Sequence, residues 1–218
     1  GTTYVKIQSP GIGKGFKVYD AATFSGVDKR AEIYNNYDFN TSNILYGCGD
    51  DYVIVMGLIN KVFTNSENIT ISRTVPDMDF VTEMDNRLWG CSSTNHEIYA
   101  CKLGDPKNWR CYMGLSSDSY AVTVGSEGDF TGVISYSGSV LFFKEGGMHR
   151  LFGDKPSNYE LSWKPMRGVQ LGSEKSLIVL NEVLYYKSRD GICAYNGSMP
   201  SKISGNLGTE MYYDAVAG

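Results

Sequence analysis

The sequence is short of the groups on which most chemistry depends. It holds only two histidines, His96 and His149, in 218 residues. A histidine-based triad would need partners brought from afar, and neither imidazole has a cysteine or carboxylate at a metal-ligand spacing. The five cysteines (Cys48, Cys91, Cys101, Cys111, Cys193) include no C-x-x-C pair, which argues against a zinc or redox centre. They read as small buried residues of a reducing compartment, with Cys101 and Cys111 flanking the Gly104-Asp105-Pro106 turn. Charge of one sign is scarce too: 20 Lys and Arg against 24 Asp and Glu give a net −4 without a basic stripe, so no nucleic-acid partner is expected. The longest apolar run, Val53 to Ile59, is far too short to span a bilayer. No signal pattern opens the chain, and the start at Gly1-Thr2-Thr3-Tyr4 reads as an excised piece.

What is present favours strands. Hydrophobic residues make up 42%, enough for a core, and the 16 tyrosines and 25 glycines suit a chain of short strands and frequent turns. In residues 1–75 the segments Tyr4–Ile7, Phe16–Tyr19, Asn43–Tyr46, Tyr52–Met56 and Asn68–Ile71 are strand candidates separated by Gly, Asn or Asp turns. One brief stretch, Val27 to Tyr34, is compatible with a helix. The pattern implies a small antiparallel barrel or sandwich, ending near Thr74-Val75-Pro76.

Residues 76–218 carry a repeat. Asn86-Arg87-Leu88-Trp89-Gly90-Cys91 leads to Glu97-Ile98-Tyr99-Ala100 and a turn with Pro106; Gly138 to Lys144 leads to Met148–Phe152 and Pro156; Asn181 to Lys187 leads to Gly191–Tyr195 and Pro200. Aligning Leu88, Val140 and Val183 gives steps of 52 and 43 residues, while the prolines step by 50 and 44. A preceding apolar strand, and a fourth at Tyr120–Val124 and Tyr159–Trp163, complete each unit. Four antiparallel strands every ~40–50 residues is the period of a β-propeller blade. A sandwich of irregular hairpins is the rival reading. The expected fold is therefore all-β: a partial propeller-like repeat domain of about three blades after a small β domain, with further blades supplied elsewhere.

Other motifs read as structure. Gly11-Ile12-Gly13-Lys14-Gly15 meets neither phosphate-loop spacing and is a β-turn before a Phe16–Tyr19 strand. Asp77, Asp79, Glu83 and Asp85 form a loose acidic cluster that a glycosidase would need to hold at a defined separation. The Asn-x-Ser/Thr triplets at Asn40, Asn68 and Asn196 are turn residues. Trp109, Tyr112, Tyr159 and Trp163 lie at or near turns and are the candidates for stacking on a glycan or anchoring a protein partner, against corner packing as the alternative. No cofactor or metal is expected.

Asn86-Arg87-Leu88-Trp89-Gly90, Ile98-Tyr99-Ala100 and Gly104-Asp105-Pro106-Lys107-Asn108-Trp109 resemble tail-associated structural proteins of bacteriophages and prophages of gut Firmicutes. So do Val140 to Glu145, Lys155-Pro156-Ser157-Asn158, Gly172 to Ser176 and Ser188-Arg189-Asp190-Gly191, over residues 76–208 in all. Around Phe16 to Gly26 the chain is also similar to a small β domain inserted in the same proteins. The resemblance implies a non-catalytic virion protein of the tail or neck, assembled in the host cytoplasm and contacting other virion subunits. A receptor- or glycan-binding module, and then a tail glycosidase, are the alternatives.

Overall fold

A computed structural model of the chain describes residues 4–25, 33–34, 42–56, 58–59, 70–73 and 75–205. Among them the regular structure is all β, apart from two single 3-10 turns. No helix among them is long and apolar enough to cross a membrane.

The first part contains β1 (Tyr4–Gln8), β2 (Ala21–Ser25), β3 (Ile33–Tyr34), β4 (Ser42–Ile44), β5 (Gly47–Gly49), β6 (Tyr52–Met56), β7 (Leu58–Ile59) and β8 (Thr70–Arg73). They pair as β1-β6-β5, β4-β2-β8 and β3-β7. Ile7, Ala22, Leu45, Val53 and Val55 form their core. The alternation in Tyr52–Met56 is the cause: Val53 and Val55 fall on one face of a strand and are fully buried there. Two expectations need correction. Phe16–Tyr19 is a turn, because Asp20 accepts the Lys17 N–H at 2.8 Å and Tyr19 has a φ of 70°. Ile33 and Tyr34, at the end of the helix-compatible stretch, are in a strand, and Val27 to Glu32 lie outside the described residues.

The second part is three four-stranded antiparallel meanders. β9 (Phe80–Met84), β10 (Arg87–Ser92), β11 (Glu97–Ala100) and β12 (Tyr120–Thr123) make the first. β13 (Phe130–Tyr136), β14 (Ser139–Lys144), β15 (Gly147–Phe152) and β16 (Glu160–Pro165) make the second. β17 (Ile178–Leu180), β18 (Val183–Ser188), β19 (Gly191–Tyr195) and β20 (Ser201–Lys202) make the third. Among the described residues no sheet joins strands from the two sides of Val75. A side-chain tie does cross: Asn108 donates to the Tyr19 carbonyl at 3.1 Å and to the buried Asp20 carboxylate at 3.4 Å. Asp20 in turn pairs with Arg73 at 3.0 Å.

The meanders stack through their side chains. Trp89, Cys91 and Ile98 of the first pack with Phe130, Val140, Phe142 and Leu151 of the second. Leu141, Phe143 and Met148, on the second sheet's other face, pack with Leu184, Tyr186, Cys193 and Tyr195 of the third. All six residues of β14 are buried.

The repeat is confirmed at the level of sheet order, but its register is one residue from the sequence alignment. Each first hairpin closes on two residues of positive φ: Asp85-Asn86 (54° and 60°), Ser137-Gly138 (47° and 68°) and Asn181-Glu182 (48° and 64°). That double left-handed conformation is the type I′ turn whose twist matches antiparallel strands. It fixes Met84 opposite Arg87, Tyr136 opposite Ser139 and Leu180 opposite Val183, so the steps are 52 and 44 residues. Val140 therefore corresponds to Leu184, not to Val183. A one-residue slip exchanges the faces of a strand: Leu184 is fully buried against the second sheet, while Val183 faces outward and is partly exposed.

The corrected register makes a prediction. Leu184→Ala should cost ~2–5 kcal/mol, as a core truncation that leaves a cavity, and Val183→Ala clearly less. Urea unfolding of both variants measures this; a larger loss for Val183→Ala would contradict the register.

Candidate functional site

The outward face of the first sheet carries a site built by the loop after β11, and the motif strand β10 holds that loop. Arg87 is buried, and its guanidinium donates to the carbonyls of Cys101 at 2.7 Å, Ser116 at 2.8 Å and Asp118 at 2.5 Å. One side chain thus clasps both ends of the 101–119 loop, satisfying carbonyls that burial would otherwise leave costly. Trp89 fills the core and donates to the Met84 carbonyl at 3.2 Å. A Cβ at Gly90 would stand 2.2 Å from the Met78 sulfur, so any larger residue would push the Met78 side chain off the sheet. Asp118 organises the loop from within: one oxygen accepts the N–H groups of Met113 and of Leu115, the latter at 3.0 Å. Trp109, buried with Tyr99 and Cys101, donates to the Pro106 carbonyl at 3.0 Å.

The loop and the outer strands β11 and β12 enclose an open cleft of about 400 Å³, lined by Asn95, Glu97, Tyr99, Trp109, Arg110 and Tyr112 together with Pro76 and Ala121. Glu97 and Tyr99 share a strand face because they are two residues apart. The Tyr99 hydroxyl donates to Glu97 at 2.5 Å and accepts from the Asn95 amide at 3.1 Å. Burial first, then this bond to a carboxylate, pushes the Tyr99 phenol up to about 12, so it stays a neutral donor. Tyr112 is 53% exposed, yet its hydroxyl is tied to the Trp109 carbonyl at 3.3 Å. A second cleft of about 360 Å³ lies on the other side of Tyr112 and Ala121, bounded by Leu115, Tyr120, Pro156 and Ser157.

The four aromatic candidates therefore divide. Trp109 and Tyr112 come together at one cleft, but Trp109 is only 2% exposed and cannot serve as a protruding anchor. Its indole N–H and ring are used in packing. Tyr159 sits edge-on to Trp89 and Tyr120, with ring centroids 5.2 and 5.0 Å away, and joins the first two sheets. Trp163 is partly exposed, lies 4.6 Å from the His149 ring and covers Gly147, where a Cβ would come within 2.4 Å of the indole. Sequence reasoning missed Asn95, Glu97, Tyr99 and Arg110 as site residues. The period-two spacing of Glu97 and Tyr99 was the available signal; the approach of Arg110 depends on the loop.

No family model matches the chain, and no curated protein matches it.

The acidic cluster does not converge. Asp79 accepts the Ser93 N–H, 14 residues away, at 2.6 Å, and Glu83 accepts the Asn86 N–H at 3.3 Å across a turn. Asp77 and Asp79 precede β9 and share no strand face. Among the described residues no group of three or more His, Cys, Asp and Glu could hold a metal. His96 is exposed on a turn with a φ of 52°. All five cysteines are free thiols, Cys48 half-buried and the others buried. Burial holds the Cys91, Cys101 and Cys111 thiols above their usual value, the opposite of an activated nucleophile.

His149 is the one buried imidazole. Its Nε2 lies 2.7 Å from the Ser126 hydroxyl, but Nδ1, which an acid would orient in a triad, has no partner among the described residues. Lys144, buried beside it, donates to the carbonyls of Ser126 at 2.8 Å and Gly128 at 2.6 Å. Burial, then the Lys144 charge, hold the His149 pKa down to about 4.

This depressed value fixes the sign of a pH effect. As pH falls below ~6.5 the unfolded chain takes up the histidine proton before the folded one does. The stability from neutral His149 is thus complete above pH ~6.5 and lost as pH falls toward 4, by on the order of 2–3 kcal/mol. His149→Gln should show a flatter decline over that window in denaturation curves taken at successive pH values. An equal slope in both proteins would contradict a buried neutral imidazole.

Proposed function

We propose that the chain is a non-catalytic virion structural protein of a phage tail or neck, a partial propeller-like platform that acts by contact with other virion subunits. The resemblance over residues 76–208 supplies the virion setting, with assembly in the bacterial host cytoplasm. The observation that carries the contact role is the outward face of the third sheet. Ile178, Leu180 and Ile192 stand 44 residues after Ile134, Tyr136 and Met148, which the third sheet covers. Among the described residues this face is largely uncovered in the third sheet: Leu180 is 54% exposed, and Ile178, Ile192 and the neighbouring Ile203 are exposed with it, while Lys187 on the same face is buried.

A terminal repeat in a stacked β architecture carries a polar or covered outer face. The first sheet meets that requirement, since Met78, Leu88 and Trp109 close over Tyr99 and Cys101. The third does not, and an apolar sheet face of this kind is a contact surface rather than a solvent surface. The occupant that fits is another β-sheet from a virion neighbour, packed as the third sheet packs on the second. A contact module also needs no convergent acid and base.

The test is a pair of substitutions on that face. Leu180→Glu with Ile203→Glu should leave the melting temperature of the free chain within a few degrees, as surface changes do, while incorporation into particles falls about tenfold or more. Normal incorporation would overturn the contact reading. Hydrolysis of a cell-wall or capsular polysaccharide that Glu83→Gln abolishes would overturn the non-catalytic one.

A further inference from the structure

The cleft around Tyr112 is separate from that bare face and has the makings of a ligand site. Its aromatic wall is fixed before any ligand arrives. An exposed tyrosine ordinarily keeps its rotamer freedom and loses it on binding; here the tie from the Tyr112 hydroxyl to the Trp109 carbonyl holds the ring in place. The polar wall is equally set. Asn95 donates to Tyr99, Tyr99 donates to Glu97, and the other Glu97 oxygen accepts from Thr123 at 3.4 Å, so the carboxylate has one orientation with lone pairs left over. Arg110 completes the set from the loop. It lines the same cleft as Glu97, Tyr99 and Tyr112. Among the described residues no acceptor engages its guanidinium.

We infer that this cleft binds a neutral saccharide, with a sugar ring face on Tyr112 and its hydroxyls shared between Glu97 and Arg110.

Three features select that class. A sugar presents an apolar C–H face and a polar rim, and the cleft offers an aromatic ring beside a ring of polar groups. Vicinal hydroxyls donate and accept at once, which suits a carboxylate that only accepts paired with a guanidinium that only donates. A phosphate or acidic sugar would meet Arg110 but also the Glu97 charge, and a purely apolar ligand would bury both charges unpaired. The cleft volume lies within the range of small-ligand sites. This inference stands independently of the virion reading.

The experiment is calorimetric titration of the purified chain with a panel of neutral oligosaccharides built from hexoses and N-acetylhexosamines, with sialylated and phosphorylated sugars as a second arm. At least one neutral member should bind, and Tyr112→Ala should weaken it about tenfold or more by removing the stacking face. Glu97→Gln should weaken it too. Tyr112→Trp, which preserves a stacking face, should retain binding, and the melting temperatures of all variants should match the wild type. No binding by any neutral sugar at millimolar concentration would overturn the assignment. So would binding confined to the acidic arm, or neutral-sugar binding unchanged in Tyr112→Ala.

Discussion

The strand Ser139–Lys144 sets the terms for everything around it. All six of its side chains are buried, three on each face, so the sheet that contains it needs cover on both sides. A strand with one polar face could end a structure; this one has to sit in the middle of a stack. The first sheet covers Val140 and Phe142, and the third covers Leu141 and Phe143. The same logic passes down the chain. The third sheet, built on a shifted copy of the pattern, carries exposed apolar residues on its outer face, which is why we propose a further layer there. Even the polar members of this stack obey the rule: buried Lys144 gives its protons to two carbonyls and lies 4.7 Å above the Phe130 ring.

Sequence and structure agree where local chemistry leaves few choices. Strand positions from Phe80 to Tyr195 were legible because apolar β-branched and aromatic runs alternate with turn residues, and the fourth strands at Tyr120 and Glu160 were anticipated for the same reason. The register was not legible. Val140-Leu141 and Val183-Leu184 are interchangeable as hydrophobic pairs, so matching letters to letters is blind to a shift of one. The turns resolve it: Asp85-Asn86, Ser137-Gly138 and Asn181-Glu182 share one geometry, and Glu182 at a φ of 64° is a residue that no turn preference would single out. Phe16–Tyr19 failed for a related reason. Its alternation reads as a strand, but the Asp20 carboxylate captures the Lys17 amide and folds the segment into a turn.

The candidate site was legible in part and for reasons unconnected with its chemistry. Trp109 and Tyr112 drew notice as aromatics near a turn, and the fold brings them to one cleft while giving them different tasks. What makes the cleft is long-range and polar: a guanidinium from β10 holding carbonyls up to 31 residues away, and Asp118 gathering the amides of its own loop. Such interactions leave no periodic trace. The motif residues Asn86 to Gly90 acquire a physical meaning only with this geometry in view. Asn86 makes the turn, Arg87 holds the loop, Trp89 fills the inter-sheet core and Gly90 admits Met78.

We propose that the third sheet is an interior layer whose outer face is covered by another sheet in the particle. Hydrogen exchange of a peptide covering Ile178–Leu180, measured in the free chain and in assembled particles, tests it most directly. In the free chain these amides, on an exposed three-residue strand at a sheet edge, should exchange far faster than those of Ser139–Lys144, whose opening follows global unfolding. In the particle, cover on the outer face should slow the Ile178–Leu180 amides by about tenfold or more. Exchange of that peptide at the same rate in both states would contradict the account.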